Sequence, residues 1–94
     1  MKKAVIDLTN CKSVGEIHLR IKEALDFPDG YGEHWDAFWD MLSFDSPDDF
    51  ITVKGVNTMS PDLIRYIQPM KEILEEHKQH LATTKYPFDY EFID

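Results

Sequence analysis

The apolar positions change period several times along the chain, and each change marks an element. Ala4-Val5-Ile6-Asp7-Leu8 is a short apolar run and predicts a strand over 3–8. Thr9-Asn10 turns the chain. Ser13-Val14-Gly15-Glu16 has capping-box spacing, and Val14, Ile17, Ile21 and Leu25 then share one face of a helix over 14–25. Pro28, Gly30 and Gly32 make the next stretch a loop. A second helix is predicted over 33–43, followed by a loop over 43–49. Phe50-Ile51-Thr52-Val53 reads as a strand, and Gly55 leads out of it. Ser60-Pro61-Asp62 is a helix start: a capping serine, proline at the first helical position, then an acid. Leu63, Ile67, Met70, Leu74, His77 and Leu81 continue as one face, interrupted by Pro69. Proline removes a helical hydrogen bond and clashes with the preceding turn, so two segments are predicted, meeting at Gln68 and Pro69. Phe88 to Ile93 alternates as a terminal strand.

The order β-α-α-β-α-β predicts an α/β fold: a small three-stranded, mostly parallel sheet packed with three to four helices. Ninety-four residues make one domain, 1–94, with no room for two cores. Twelve aromatic residues supply that core and argue against disorder.

Charge changes the picture. Ten Lys and Arg stand against eighteen Asp and Glu, a net charge of −8. Such a chain repels phosphate backbones and anionic membranes, so no nucleic acid and no membrane is expected, and a basic partner is favoured. No apolar run approaches a membrane span, and Asp7 cuts the N-terminal run far short of a signal peptide. The lone Cys11 has no internal disulfide partner, which fits a reduced, cytoplasmic protein.

The acids are concentrated. Between Lys22 and Lys54 there is no Lys or Arg, and nine of the eighteen acids fall there. At about 100° per residue, with Asp36 at 0°, Asp40 lies near ~40°, Glu33 near ~60° and Ser43 near ~−20°. Phe38, Met41, Leu42 and Trp35 lie on the opposite side, and Trp39 lies at the border. The helix thus presents a carboxylate stripe behind an apolar face. Asp36 and Asp40, four apart, repel each other and weaken an isolated helix. Folding would not select that pair; a cationic partner would. Tyr31, Gly32, Trp35 and Trp39 beside the acids give an interface composition, although Trp35 also suits core packing.

Other chemistry is thin. Glu76-His77-x-x-His80 sets two histidines at i, i+3, short of the three or four ligands a metal needs, and His77 continues the apolar face. His18 lies between core positions and suits a half-buried, hydrogen-bonded imidazole. Asp36 and Asp40 have no visible apolar pocket to split their pKa values as an acid–base pair. No enzyme, cofactor or metal is expected.

The segment Tyr31-Gly32-Glu33-His34-Trp35-Asp36-Ala37-Phe38-Trp39-Asp40-Met41-Leu42 closely resembles the signature of the barstar family, intracellular inhibitors of barnase-type ribonucleases. The family pattern is Tyr-Gly-Glu-Asn-(apolar)-Asp-Ala-(apolar)-Trp-Asp-x-Leu. Met1 to Ile6 and the Ser13, Ile17, His18, Ile21, Lys22, Leu25 spacing also fit. The resemblance implies a three-stranded parallel sheet and a one-to-one complex that plugs a ribonuclease active site, with the inhibitor monomeric when free. It implies that Asp40 occupies the phosphate subsite and that Asp36 meets neighbouring basic groups. Tyr31, Gly32, Glu33, His34, Trp35, Trp39, Ser43 and, loosely, Glu76 supply the remaining contacts. The chain departs from the pattern at His34, for asparagine, at Trp35, for leucine, and at Gly30, where the family prototype has a second tyrosine. An acidic module that mimics nucleic acid toward another basic protein is the alternative reading.

Overall fold

The computed structural model describes residues 3–45 and 49–93, apart from the side chains at 44 and 45. The elements are β1 (Lys3–Asp7), α1 (Val14–Leu25), α2 (Trp35–Asp45), β2 (Phe50–Lys54), a 3-10 turn (Val56–Thr58), α3 (Pro61–Tyr66), α4 (Gln68–Leu81) and β3 (Asp89–Ile93). The sheet has the order β1-β2-β3 and is parallel throughout. Two right-handed crossovers running in one direction along a sheet put their helices on the same face. Burial follows that rule. Ala4, Ile6, Ile51 and Val53 are buried beneath the helices. The alternate residues form three rows on the other face: Lys3, Phe50 and Asp89, then Val5, Thr52 and Glu91, then Asp7, Lys54 and Ile93. That face is exposed or half-buried and is tied by polar cross-strand contacts. Thr52 Oγ1 donates to Glu91 at 3.3 Å, and Lys54 pairs with Asp7 at 3.8 Å.

The caps explain where the helices begin. Ser13 Oγ accepts from the Glu16 N–H at 3.1 Å, and the Glu16 carboxylate reaches back to the Lys12 N–H at 3.3 Å, one residue beyond the predicted box. Ser60 caps α3 with Pro61 behind it. The break at Pro69 is observed, but the boundary is Ile67, and Pro69 falls in the first turn of α4, where its missing N–H costs nothing. Leu63, Ile67, Met70, Leu74 and His77 are all buried, so the predicted face runs unbroken across the two helices.

The second helix differs from expectation at both ends. Glu33 has φ of 52°, a left-handed conformation that cannot enter a right-handed helix. The His34 ring caps α2 instead, its Nδ1 accepting the Ala37 N–H at 3.1 Å. At the other end α2 takes in Ser43, Phe44 and Asp45, assigned above to a loop. The rest of that loop, Ser46, Pro47 and Asp48, lies outside the described residues.

The exits of β1 and β2 touch through Gly55. Its φ is 80°, and a Cβ there would lie 2.5 Å from the Thr9 backbone nitrogen. Around it Leu8 N–H donates to Lys54 O at 2.9 Å and Asn10 N–H to Thr58 Oγ1 at 2.9 Å. Gly55→Ala should therefore cost more than about 2 kcal/mol, combining left-handed strain with a backbone clash. Urea unfolding measures this, and a loss below about 1 kcal/mol would show that the strand exits move apart freely.

Candidate functional site

One face of α2 meets the core and the other meets solvent. Phe38 and Leu42 are buried, Trp35, Met41 and Trp39 are half-buried, and Asp36, Asp40 and Ser43 are exposed. The predicted stripe is present, with Glu33 contributing from the preceding loop and not from the helix. Its electrostatics differ from those of the acids that have cationic partners. Lys22 pairs with Asp29 at 2.9 Å, Lys54 with Asp7, Lys78 with Asp89 at 3.1 Å and Arg65 with Asp62. Hydrogen bonds and cations hold the Asp7, Asp29 and Asp89 carboxyls below their usual range. Glu75 is also lowered, first by the Tyr90 hydroxyl at 2.6 Å, and Tyr90 is pushed up to about 12 by the same bond. Glu33, Asp36 and Asp40 have no such partner among the described residues.

Asp40 stands between two hollows. One, of about 320 Å³, is lined by Gly30, Tyr31, Gly32, His34, Ala37, Asp40 and Met41. The other, of about 440 Å³, lies between α2 and α4 and is lined by Trp39, Asp40, Ser43, His77, His80 and Leu81. A partner side chain reaching the Asp40 carboxylate thus has room on both flanks. Glu76 is exposed on α4 and borders a third hollow of about 400 Å³ with Lys71, Glu72 and Glu75. His80 and Leu81 join the Asp40 surroundings without having been predicted there. Their signal was helix-face periodicity alone, which cannot say what faces what.

Two aromatic candidates turn inward. Tyr31 is only 6% exposed, and its hydroxyl lies 2.8 Å from His18 Nδ1. The other ring nitrogen of His18, Nε2, lies 2.7 Å from the Tyr66 hydroxyl. Trp35 packs against the His18 ring at 4.8 Å, and its indole N–H donates to the Tyr66 carbonyl at 3.1 Å. His18 itself is fully buried, not half-buried as expected. Burial lowers its pKa, with Glu33 opposing and His34 adding to the shift. The ring is therefore neutral at pH 7, one tyrosine donating to it and the other accepting from it. Burial likewise raises the Tyr31 and Tyr66 hydroxyls. The Tyr31 loop, the start of α2, α1 and α3 are thus joined at one imidazole.

Among the described residues, no three of His, Cys, Asp and Glu converge on a point that could hold a metal ion, and no helix is long and apolar enough to cross a membrane. Cys11 is a free, buried thiol whose pKa burial raises, which keeps it protonated and unreactive.

A parallel sheet with its buried residues on one face thus stands beside a helix whose Asp36 and Asp40 have no partner among the described residues. The family model described as Barstar (barnase inhibitor) matches residues 1–93, and the chain belongs to that family. It is also similar to a protein of Bacillus subtilis (strain 168) named "Putative ribonuclease inhibitor YrdF", with 31% identity over 83 residues, 86% of this chain and 90% of the relative.

The buried imidazoles set a pH dependence. Burial depresses the folded-state pKa of both His18 and His77, and His80 depresses that of His77 further. Below the ordinary histidine pKa of about 6.5 the unfolded chain binds protons that the folded chain refuses. Stability should be full above that pH and fall as pH drops below it toward the depressed values. Each imidazole contributes up to about 1.4 kcal/mol per pH unit. The lowered carboxylates lose their pairs only below about pH 4, outside this window. Urea midpoints between about pH 5 and 8 should show the decline, and His18→Gln should flatten it. A flat wild-type profile would mean that the buried ring takes up its proton without penalty.

Proposed function

We infer that this protein is a noncovalent inhibitor of a barnase-type ribonuclease. The acidic loop and helix plug the enzyme's active site, and Asp40 stands in for substrate phosphate. Membership of the barstar family and the name of the Bacillus relative support a ribonuclease as the target. The observation that carries the reading is the unpaired state of Glu33, Asp36 and Asp40 among the described residues, on a surface where folding alone favours pairing. A ribonuclease site concentrates Arg, Lys and His to hold phosphate. A carboxylate placed there accepts charge-assisted, often bidentate, hydrogen bonds from the same groups. The net charge of −8 adds long-range steering of a basic enzyme. Gly32, Glu33, His34, Asp36, Trp39, Asp40, Ser43 and Glu76 are exposed or half-exposed and face the partner in this reading. Tyr31 and Trp35 support the loop from behind through His18. The protein performs no catalysis, acts in the cytoplasm and needs no cofactor. An acidic module that binds some other basic protein remains the competing reading. Inhibition of ribonuclease activity, set against binding to basic proteins without that activity, separates the two.

Asp40→Ala should weaken the complex by about 30-fold or more, mostly through faster dissociation, because the enzyme's cations are left buried and unpaired. That corresponds to the ~2–5 kcal/mol typical of such truncations, a range that barnase–barstar complexes themselves help to define. Folding should be almost unaffected, since the Asp40 side chain is exposed and unbonded within the described chain. Stopped-flow association and dissociation with barnase, beside urea unfolding, checks both. A loss no greater than that of an acid elsewhere in the run, such as Asp48→Ala (a position outside the described residues), would reduce the acids to a diffuse field.

A further inference from the structure

The break between α3 and α4 frees a backbone acceptor for α2. In a continuous helix the Tyr66 carbonyl would take the N–H of residue 70, or that of residue 69 in a tighter turn. Pro69 has no N–H, and the Met70 N–H donates to Ile67 O at 3.0 Å instead. The Tyr66 carbonyl is filled from outside its own helix, by the Trp35 indole N–H at 3.1 Å. Among the described residues this is the one hydrogen bond that joins α2 to another element. The side chain of Tyr66 completes the junction. Its hydroxyl lies 2.7 Å from His18 Nε2 in α1. Its ring packs on Trp35 with centroids 5.1 Å apart and planes inclined at 36°. Trp35 is the first residue of α2, Asp36 follows it, and Asp40 stands one turn further on.

We propose that Tyr66 is a positioning residue for partner binding: from α3 it sets the tilt of the first turn of α2, and thereby the aim of Asp40. This rests on the inhibitor reading above. Phe38 and Leu42 hold α2 by apolar burial, which is non-directional and leaves the rotation of the helix weakly specified. A hydrogen bond is directional and weakens steeply off its axis. The Trp35–Tyr66 bond, with the Tyr66–His18 bond behind it, therefore supplies the orientation that burial does not. A charge-assisted, bidentate pairing by Asp40 depends on that orientation. Long-range steering depends on the summed charge and does not. Loss of the tie should thus appear in dissociation and leave association nearly unchanged.

Stopped-flow rates with barnase at constant ionic strength test this for wild type, Tyr66→Phe, Asp40→Ala and the double variant. Tyr66→Phe removes the hydroxyl without changing net charge. It should dissociate at least about fivefold faster than wild type and associate within about twofold of it. In the Asp40→Ala background the same change should cost no more than about twofold, because the carboxylate it aims is gone. Gly55→Ala weakens the fold at the strand exits and serves as the comparison for lost stability alone; its complex should dissociate at the wild-type rate. Trp35→Phe keeps a ring but lacks the indole N–H. It should show the same non-additivity with Asp40→Ala, and it carries the test if Tyr66→Phe does not fold. A wild-type dissociation rate in Tyr66→Phe, an equally fast rate in Gly55→Ala, or full additivity with Asp40→Ala would overturn the inference and leave the inhibitor reading standing. Wild type that neither binds nor inhibits barnase would instead remove the inhibitor reading, and this inference with it.

Discussion

A single neutral imidazole ties the recognition elements to the fold. His18 sits in α1, fully buried, with a tyrosine hydroxyl on each ring nitrogen and the Trp35 indole against its face. A buried polar ring is costly unless both nitrogens are satisfied. Here the satisfaction comes from residues 13 and 48 positions away, so closing the bonds also closes the fold. Tyr31 fixes the loop before α2, Tyr66 fixes the end of α3, and Trp35 fixes the first turn of α2. The direction in which α2 points its acids follows from that cluster. A larger apolar residue at 18 could fill the space, but it could not orient two hydroxyls at once.

The acids divide into two populations with different physics. Asp7, Asp62, Glu75 and Asp89 have cations or hydroxyl donors, and the Asp7, Glu75 and Asp89 carboxyls are lowered accordingly. Those from Glu33 to Asp40 repel one another without internal relief. Like charges at i, i+4 cost an isolated helix a few tenths of a kcal/mol, a small term beside the burial of Phe38 and Leu42 on its other face. The fold carries that cost easily, and an attractive surface for cations results.

The sheet is unusual in being parallel yet covered on one face only. Parallel sheets usually bury both. With the order β1-β2-β3, the buried residues of β1 and β2 lie on one face, and the described residues of the second face are exposed or half-buried. Its residues answer the exposure locally: Lys3 over the Phe50 ring at 5.9 Å, Thr52 with Glu91, and Lys54 with Asp7. These contacts read along rows across the strands, which is why alternation within each strand survives in a parallel sheet.

Much of this architecture was legible because it is written in local periods. Strand alternation, the apolar faces of α1, α3 and α4, the serine caps and the proline break depend on neighbours within a turn or two, and they appear close to where their residues place them, except that Val14 at the start of α1 is exposed and the break falls at Ile67. The carboxylate stripe was legible for the same reason, as was the long motif at Tyr31–Leu42. The exceptions share one cause. Glu33 follows the helical angle on paper, but its backbone is left-handed and the helix begins after a histidine cap. Tyr31 and Trp35 have interface composition, yet a histidine far away in sequence draws both inward. His80 carries no sign of Asp40, because the two come to line one hollow only when α4 packs beside α2. The sequence by itself determined which faces are apolar and where the charge gathers, since those are properties of single elements. Only the tertiary structure decided which aromatic rings are spent inside and which groups stand around Asp40, because burial and hydrogen-bond satisfaction join residues that no local period connects.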